Sequence, residues 1–186
     1  SIAMISELRK WNADRLKTDK MPVGMGVGVN TDNVVTGNIG SSKRMDFTMI
    51  GDGVNLAARL EGSCKTYGAQ IIISEFTQTK LKGIYALREL DRIIVKGKTE
   101  PVSIFEVLDF HDDETFPARM DVIGHFTEGL AHYRNTKFDD ATRSFKAALD
   151  ANSEDVPSKL YIERCELFKK SPPPKDWSGE WVMTEK

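Results

Sequence analysis

The sequence predicts an α+β body followed by a small, all-helical extension. Three observations lead to this prediction. Up to about residue 110, short β-branched runs alternate with helical patterns of apolar residues. An acidic stretch at residues 110–114 interrupts this alternation. Beyond Pro117 the apolar residues have helical spacing only, until three consecutive prolines at residues 172–174 begin a tail.

The composition narrows the class of protein. Of the 186 residues, 40% are hydrophobic and 29% are charged, which is typical of a globular protein. A net charge of -2 argues against a broadly basic nucleic-acid surface, and no apolar run approaches the roughly 20 residues that span a bilayer. Two cysteines form no disulfide framework, so we expect a reducing compartment. The chain begins at Ser1 inside a helical pattern, and we therefore expect a piece of a longer protein.

The first half of the body is predicted to contain a helix, a hairpin, a third strand and a long helix. Alternating valine and glycine after Pro22 indicate a strand, and the turn-like composition of residues 30–33 predicts that the next strand forms a hairpin with it. Gly68 is suited to end the long helix. In order, the predicted helix, three strands and long helix cover residues 1–17, 22–29, 34–39, 47–50 and 52–67.

The second half of the body is predicted to be mostly strands, and the extension to be three helices. Ser74 is suited to cap a short helix that Gly83 ends. The predicted strands cover residues 69–73, 85–90, 92–95 and 102–108. We expect a body at residues 1–110, a linker at 111–117, helices at 118–170 and a Pro/Trp tail at 171–186.

The long helix carries the residues with the clearest chemical meaning. At about 100° per residue, Asn55 and Arg59 share one face, while Ala57, Leu60 and Cys64 lie on the opposite face. An amide beside a permanent positive charge suits a polyphosphate ligand. A solvated polar face of an ordinary surface helix explains the same pattern, so both readings stay open on spacing alone.

Two glycine-rich segments are weaker signals. Gly24, Gly26 and Gly28 permit the close approach of a ligand or of another backbone, but they lack the G-x-G-x-x-G spacing of dinucleotide sites. Residues 37–43 do not fit the G-x-x-x-x-G-K-[ST] pattern of a phosphate-binding loop.

A longer ordered motif resembles a known family. The run GNIG at 37–40, followed by RMDFTMIGDGVNLAARLE at 44–61, resembles the class III nucleotidyl cyclases, the adenylate and guanylate cyclases. The glycine strand before it and Val-Lys-Gly at 95–97 fit in order. The resemblance covers about residues 21–107, and residues 1–17 resemble the helix that precedes this region.

The resemblance implies a ferredoxin-like catalytic domain that acts as a homodimer, with active sites at the interface. ATP would be converted to cyclic AMP and pyrophosphate with the help of two Mg²⁺ or Mn²⁺ ions. Asn55 matches the residue that orients the ribose, and Arg59 the residue that stabilises charge on the α-phosphate in the transition state. Lys96 matches the residue that holds the terminal phosphates. Thr48 occupies the base-recognition position and favours ATP.

Other positions in the motif leave alternatives open. Arg44 is a candidate for phosphate contact, with Lys43 as a competitor and a structural ion pair between Arg44 and Asp46 as the alternative. Asp52 is suited to cap the helix, and Lys98 to be a solvated turn residue.

The resemblance also implies that the metal ligands lie elsewhere. The family's two metal-binding aspartates and its adenine-recognising lysine precede the region matched here, so the predicted fold lacks its N-terminal strand, helix and hairpin. We expect no metal ligand in this chain, little cyclase activity from the fragment alone, and adenylate cyclase activity in the intact protein. A guanylate cyclase, or a non-catalytic regulatory or dimerisation module that binds a protein partner, is the alternative.

In the extension, the spacing of Gly129, Phe138, Ala141, Phe145 and Ala148 resembles that of one tetratricopeptide repeat. His125 and Glu128 stand where that repeat usually has large residues. One repeat cannot bury its own apolar face, so we expect it to dock on the body, pair with the third helix or bind a partner. We expect Trp177 and Trp181 to pack against the helices. The tail resembles the ending of bacterial receptor cyclases, which implies a cytoplasmic domain of a membrane-anchored protein.

Overall fold

The computed structural model describes residues 1–41, 44–94 and 100–183. The elements of the body are α1 (Ile2–Leu16), β1 (Val27–Val29), β2 (Val35–Ser41), β3 (Arg44–Ile50), α2 (Asp52–Tyr67), β4 (Ile71–Ser74), α3 (Glu75–Gln78), β5 (Leu87–Ile94) and β6 (Val102–Val107). The extension contains α4 (Arg119–Arg134), α5 (Phe138–Ala151) and α6 (Val156–Lys170), and the tail contains β7 (Trp181–Val182).

A mixed five-stranded sheet forms the centre of the molecule, with strand order β1-β4-β6-β5-β7. The outer pairs β1/β4 and β5/β7 are parallel, and the inner pairs are antiparallel. Strands β2 and β3 form a separate antiparallel ribbon. The apolar stripe of α2 packs on the sheet in one buried cluster, and this arrangement confirms a mixed α/β fold.

The predicted hairpin between residues 22–29 and 34–39 is wrong. Val27 of β1 lies opposite Ile71 of β4 in a parallel pair, and β2 pairs with β3 instead. The valines of β1 are partly buried in a cluster with the isoleucines of β4, so burial decides the pairing. The turn-like segment serves another purpose: the Asn30 amide donates to the Gly53 carbonyl at 3.2 Å, and its oxygen accepts from Ser74 at 2.6 Å.

Gly28, the glycine within β1, allows the close approach of another backbone. A Cβ at Gly28 would collide with the backbone of α2 at Ala57 and Glu61, whereas a Cβ at Gly24 would meet no described atom within 4 Å. Of the two readings of the glycine strand, the structure therefore supports contact with a helix rather than with a ligand.

Replacing Gly28 by alanine is expected to destabilise the protein by about 1–3 kcal/mol, because β1 and α2 must move apart. Urea unfolding followed by circular dichroism measures the change. Gly24→Ala is the matched control and should change the free energy of unfolding by less than about 0.5 kcal/mol. Equal effects of the two substitutions would contradict the close approach.

Strand β5 is one strand, although the sequence predicts two. Its register against β6 shifts between Glu89 and Asp91, which marks a bulge. Asp91 is fully buried there and accepts hydrogen bonds from the Tyr67 hydroxyl and the Arg164 guanidinium, both at 2.6 Å. The carboxylate of Asp91, the residue between the two predicted strands, is therefore satisfied inside the fold.

The helical extension packs on the sheet through ion pairs. Arg88 of β5 pairs with Glu106 at 2.6 Å and with Asp155, at the start of α6, at 2.5 Å; all three are buried. On the same strand, Glu89 pairs with Arg134 of α4 at 2.6 Å. The extension thus docks on the body and also pairs its first two helices with the third through a shared aromatic cluster.

The tail packs against the helices, as the sequence predicts. The Trp177 ring lies 5.1 Å from the rings of Tyr133 and Phe168, and the Trp181 ring lies 6.1 Å from Phe168. Among the described residues, no helix is both long enough and apolar enough to cross a membrane.

Helix α1 is tied to the linker by Arg9. The guanidinium donates to the Phe110 carbonyl at 2.7 Å and lies 3.3 Å from Nδ1 of His111. Burial, together with the charges of Arg9, Arg88 and Arg119, lowers the pKa of His111 to about 4. His111 is therefore neutral in the folded protein at pH 5 to 6.

The low pKa of His111 predicts acid sensitivity. Between pH 6.5 and pH 4 the unfolded chain protonates this imidazole and the folded chain does not, so the free energy of unfolding falls as the pH falls. Between pH 7 and pH 4.5, the free energy of unfolding of His111→Asn should therefore fall by about 1–2 kcal/mol less than that of the wild type, after allowance for solvent screening. Urea titrations at the two pH values measure it, and an unchanged pH dependence would contradict the assignment.

Candidate active site

The loop between β3 and α2 determines where the helix that carries the site begins. Gly51 precedes the helix, and Asp52 lies in its first turn, where a carboxylate interacts favourably with the helix dipole. Asp52 is thus not the N-cap residue. At the other end, Gly68 adopts a left-handed conformation with φ 64° and terminates α2, as predicted. The hydrogen bond from Asn30 to the Gly53 carbonyl fixes this first turn against the ends of β1 and β4.

The polar face of α2 is formed by Asn55 and Arg59, one turn apart. Both are exposed, while Leu60 and Cys64 of the predicted apolar face are buried in the core cluster and Ala57 is half-buried. Within the part of the chain that the structure describes, neither side chain makes a hydrogen bond or an ion pair. An amide and an uncompensated guanidinium on one open face can bind a phosphate-bearing ligand.

The other predicted site residues are placed less completely. Thr48 lies on β3, the strand that leads into α2; it is half-buried and pairs with Gly37 of β2. Arg44 is the first residue of β3 and lies opposite Ser41. Lys96, Lys43 and Lys98 lie outside the described residues. The structure therefore brings Asn55 and Arg59 together and places Thr48 on the adjoining strand.

The described residues do not supply a metal centre. No group of three or more histidine, cysteine or acidic residues within them is arranged to hold an ion. Asp14 and Asp32 are exposed; the first pairs with Lys17 at 2.8 Å and the second accepts from the Asn33 amide at 2.7 Å. Within the described ranges, these carboxylates do not form the donor set of a two-metal site.

The buried ionisable groups Cys64 and Glu106 show no sign of a catalytic role. Burial raises the pKa of the Cys64 thiol, which points away from nucleophilic chemistry. Burial also raises the pKa of Glu106 in spite of its ion pair with Arg88. These groups support the helix and the sheet and do not reach the polar face.

Sequence reasoning missed two residues that place α2. One is Asn30, whose side-chain amide donates to the Gly53 carbonyl in the first turn; the composition of residues 30–33 predicts only a turn there. The other is Ser63, whose hydroxyl donates to the Arg59 carbonyl at 2.7 Å and lies 3.6 Å from the Met183 sulfur. No local sequence pattern predicts the contact between Ser63 and Met183, because the two residues are 120 positions apart.

Several known proteins resemble this chain over part of its length. The crystal structure of the adenylyl cyclase CyaB from P. aeruginosa aligns with a TM-score of 0.49 at 31% identity, covering 60% of each chain. The adenylate cyclase of Anabaena cylindrica is 40% identical over 114 residues, 58% of this chain and 23% of that protein. The terminal-differentiation specific adenylate cyclase of Dictyostelium discoideum is 34% identical over 146 residues, 77% of this chain and 7% of that protein.

The chain spans only a small part of the curated relatives that it matches. The similarity to the Dictyostelium protein continues past the body into the helical extension, since it covers 77% of the chain. Residues 1–108 match the family model described as the adenylate and guanylate cyclase catalytic domain. With its polar helix face and this match over more than half of its length, the chain belongs to the adenylate and guanylate cyclase catalytic domain family.

Proposed function

We propose that this chain supplies the transition-state-stabilising part of an adenylate cyclase active site, which converts ATP to cyclic AMP and pyrophosphate. The observation that carries the proposal is the open face of α2, where Asn55 and Arg59 lie one turn apart with no partner among the described residues. Asn55 orients the ribose, and Arg59 offsets the charge that develops on the α-phosphate.

Three further residues complete the proposed substrate site. Thr48 reads the base and favours adenine, Lys96 holds the terminal phosphates, and Arg44 contacts a phosphate. Support for Thr48 comes from its place on β3, whose end leads directly into α2. The proposal for Lys96 and Arg44 rests on their positions in the cyclase motif.

Divalent ions are a general requirement of this domain family. We propose that two Mg²⁺ or Mn²⁺ ions are held by carboxylates outside these 186 residues, in the ferredoxin-like strand, helix and hairpin that precede the matched region in the family. When bound, the ions supply charge neutralisation for the phosphates. This chain alone then has little activity.

The β2–β3 ribbon favours a homodimer. Its apolar side chains are unusually exposed, with Val35 at 74%, Phe47 at 72% and Met45 at 63% of their full accessibility. A ribbon outside the main sheet with such a surface is suited to cover a second copy. Cyclase domains act as dimers, and we propose that this ribbon contributes to the dimer of the intact protein.

The remaining organisation is also proposed. Residues 1–110 form the cyclase portion, 111–117 the linker, 118–170 tetratricopeptide-like helices and 171–186 the tail. The aromatic cluster of α4, α5 and α6 supports a helical unit in which Gly129 lies against the Phe145 ring. The parent protein is proposed to be a membrane-anchored bacterial receptor cyclase with this part in the cytoplasm.

Cyclic nucleotide production tests the function. With Mn²⁺, the complete catalytic domain is expected to form cyclic AMP from ATP at least about tenfold faster than cyclic GMP from GTP. The 186-residue chain measured alongside should remain at background. A preference for GTP would indicate a guanylate cyclase, and no product from either nucleotide would indicate a non-catalytic module. Turnover by the short chain equal to that of the complete domain would contradict the placement of the metal ligands.

A further inference from the structure

The C-terminal tail returns to the central sheet after leaving α6. Trp177 anchors it among the aromatic rings of the extension, 5.1 Å from Phe168. Strand β7 then pairs in parallel with the last two residues of β5, and the Met183 amide donates to the Ile94 carbonyl at 3.2 Å. The tail is therefore the fifth strand of the sheet that supports α2.

Met183 reaches the helix that carries the polar face. Its side chain packs against the buried cluster that contains Leu56 and Leu60 of α2. Its sulfur lies 3.6 Å from the Ser63 hydroxyl, which donates to the Arg59 carbonyl at 2.7 Å. Ser63 lies one helical turn after Arg59, and its hydrogen bond to the Arg59 carbonyl connects the Met183 contact to the backbone of Arg59.

Trp181 secures the C-terminal end of the same helix. Its ring centre lies 4.1 Å from the Arg164 guanidinium, a stacking distance for a cation over an aromatic face. Arg164 is buried, pairs with Asp91 at 2.6 Å and lies 3.4 Å from the hydroxyl of Tyr67, the last residue of α2. The tail thus contacts α2 directly through Met183 and indirectly through this buried group.

We propose that Met183 and Trp181 are positioning residues for the reaction: they seat α2 so that the Asn55–Arg59 face meets the nucleotide in the correct geometry. The inference rests on the proposed function. Strands β1 and β4 hold α2 from the sheet, and the tail adds a contact from the opposite end of the chain. A displacement of about 1 Å at a positioning group can reduce a rate by roughly 10²-fold.

Hydrogen exchange of the 186-residue chain tests the seating of α2 without any need for activity. Met183→Ala should raise exchange in residues 52–67, while Met183→Leu, which restores the apolar volume, should return it to the wild-type rate. Helix α5 serves as the internal reference and should not change. Unchanged exchange in α2 of the alanine variant would overturn the proposal.

Kinetics of the complete enzyme test the role in catalysis. Met183→Ala and Trp181→Ala should lower kcat about tenfold while KM for ATP stays within about twofold, because the lost geometry matters in the transition state. Met183→Leu should restore kcat. Val182→Ala is the matched control, since this residue lies between the two and is 56% exposed.

The two failures are distinguishable. If the complete wild-type enzyme forms no cyclic AMP, the proposed function is refuted. The catalytic role of Met183 and Trp181 is then refuted as well. If the wild type is active but Met183→Ala leaves kcat unchanged, the positioning role alone is refuted, whatever the hydrogen exchange of α2 in that variant.

Discussion

Replacing Arg59 by alanine is expected to lower kcat of the complete enzyme by about 10²–10³-fold, because a preorganised positive charge at the α-phosphate is lost. The KM for ATP should change much less, since the interaction strengthens in the transition state. Steady-state assays of cyclic AMP formation measure both parameters.

The structure separates this effect from misfolding. Arg59 is exposed and makes no hydrogen bond or ion pair within the described part of the chain, so Arg59→Ala should change the free energy of unfolding by less than about 0.5 kcal/mol. Arg59→Lys keeps the charge but loses the planar fork, and should recover only part of kcat. Lys65→Ala, exposed on the same helix, is the control for a general loss of positive charge. Wild-type kcat in Arg59→Ala would refute the assigned role.

Replacing Arg88 by methionine is expected to cost about 3–5 kcal/mol of stability at neutral pH, because two buried carboxylates lose their counter-charge. Arg88, Glu106 and Asp155 are each less than 5% exposed. Arg143→Met is the matched control: Arg143 pairs with Asp140 at the surface, and its loss should cost less than about 1 kcal/mol. Urea unfolding compares the two variants.

The pH dependence of the Arg88 variant sharpens this prediction. Burial already raises the pKa of Glu106 with Arg88 present, and removal of the arginine raises it further. A folded-state pKa above the unfolded value means that stability is lost as the pH rises through that window. The loss of unfolding free energy caused by Arg88→Met should therefore be smaller at mildly acidic pH. A deficit that is the same at pH 5 and pH 8 would contradict a buried, uncompensated Glu106.

Local patterns were sufficient for α2 and its polar face. The helix begins and ends where its apolar spacing and Gly68 predict, and the separation of Asn55 and Arg59 from the buried face follows from 100° per residue alone. The cap formed by Ser74 is likewise local, and the Thr77 amide donates to its hydroxyl, although the helix is shorter than expected.

Long-range pairing could not be predicted from the sequence. Strand β1 pairs with β4 across more than forty residues, so the nearby turn-like segment suggested the wrong partner. The sequence predicts two strands, 85–90 and 92–95, where β5 is one; its charged residues Arg88, Glu89 and Asp91 pair with Asp155, Arg134 and Arg164, which lie far along the chain. Strand β7 has two residues and no pattern of its own.

The ion pairs between β5 and the extension also have a consequence for synthesis. Asp91 waits for Arg164, which is made 73 residues later, and Arg88 waits for Asp155, which is made 67 residues later. At about 5–20 residues per second, a ribosome needs roughly 4–15 s to deliver these partners. During that interval Arg88 and Asp91 lack their partners from α6 and its cap, so we expect the central sheet to complete its folding only after α6 has been made.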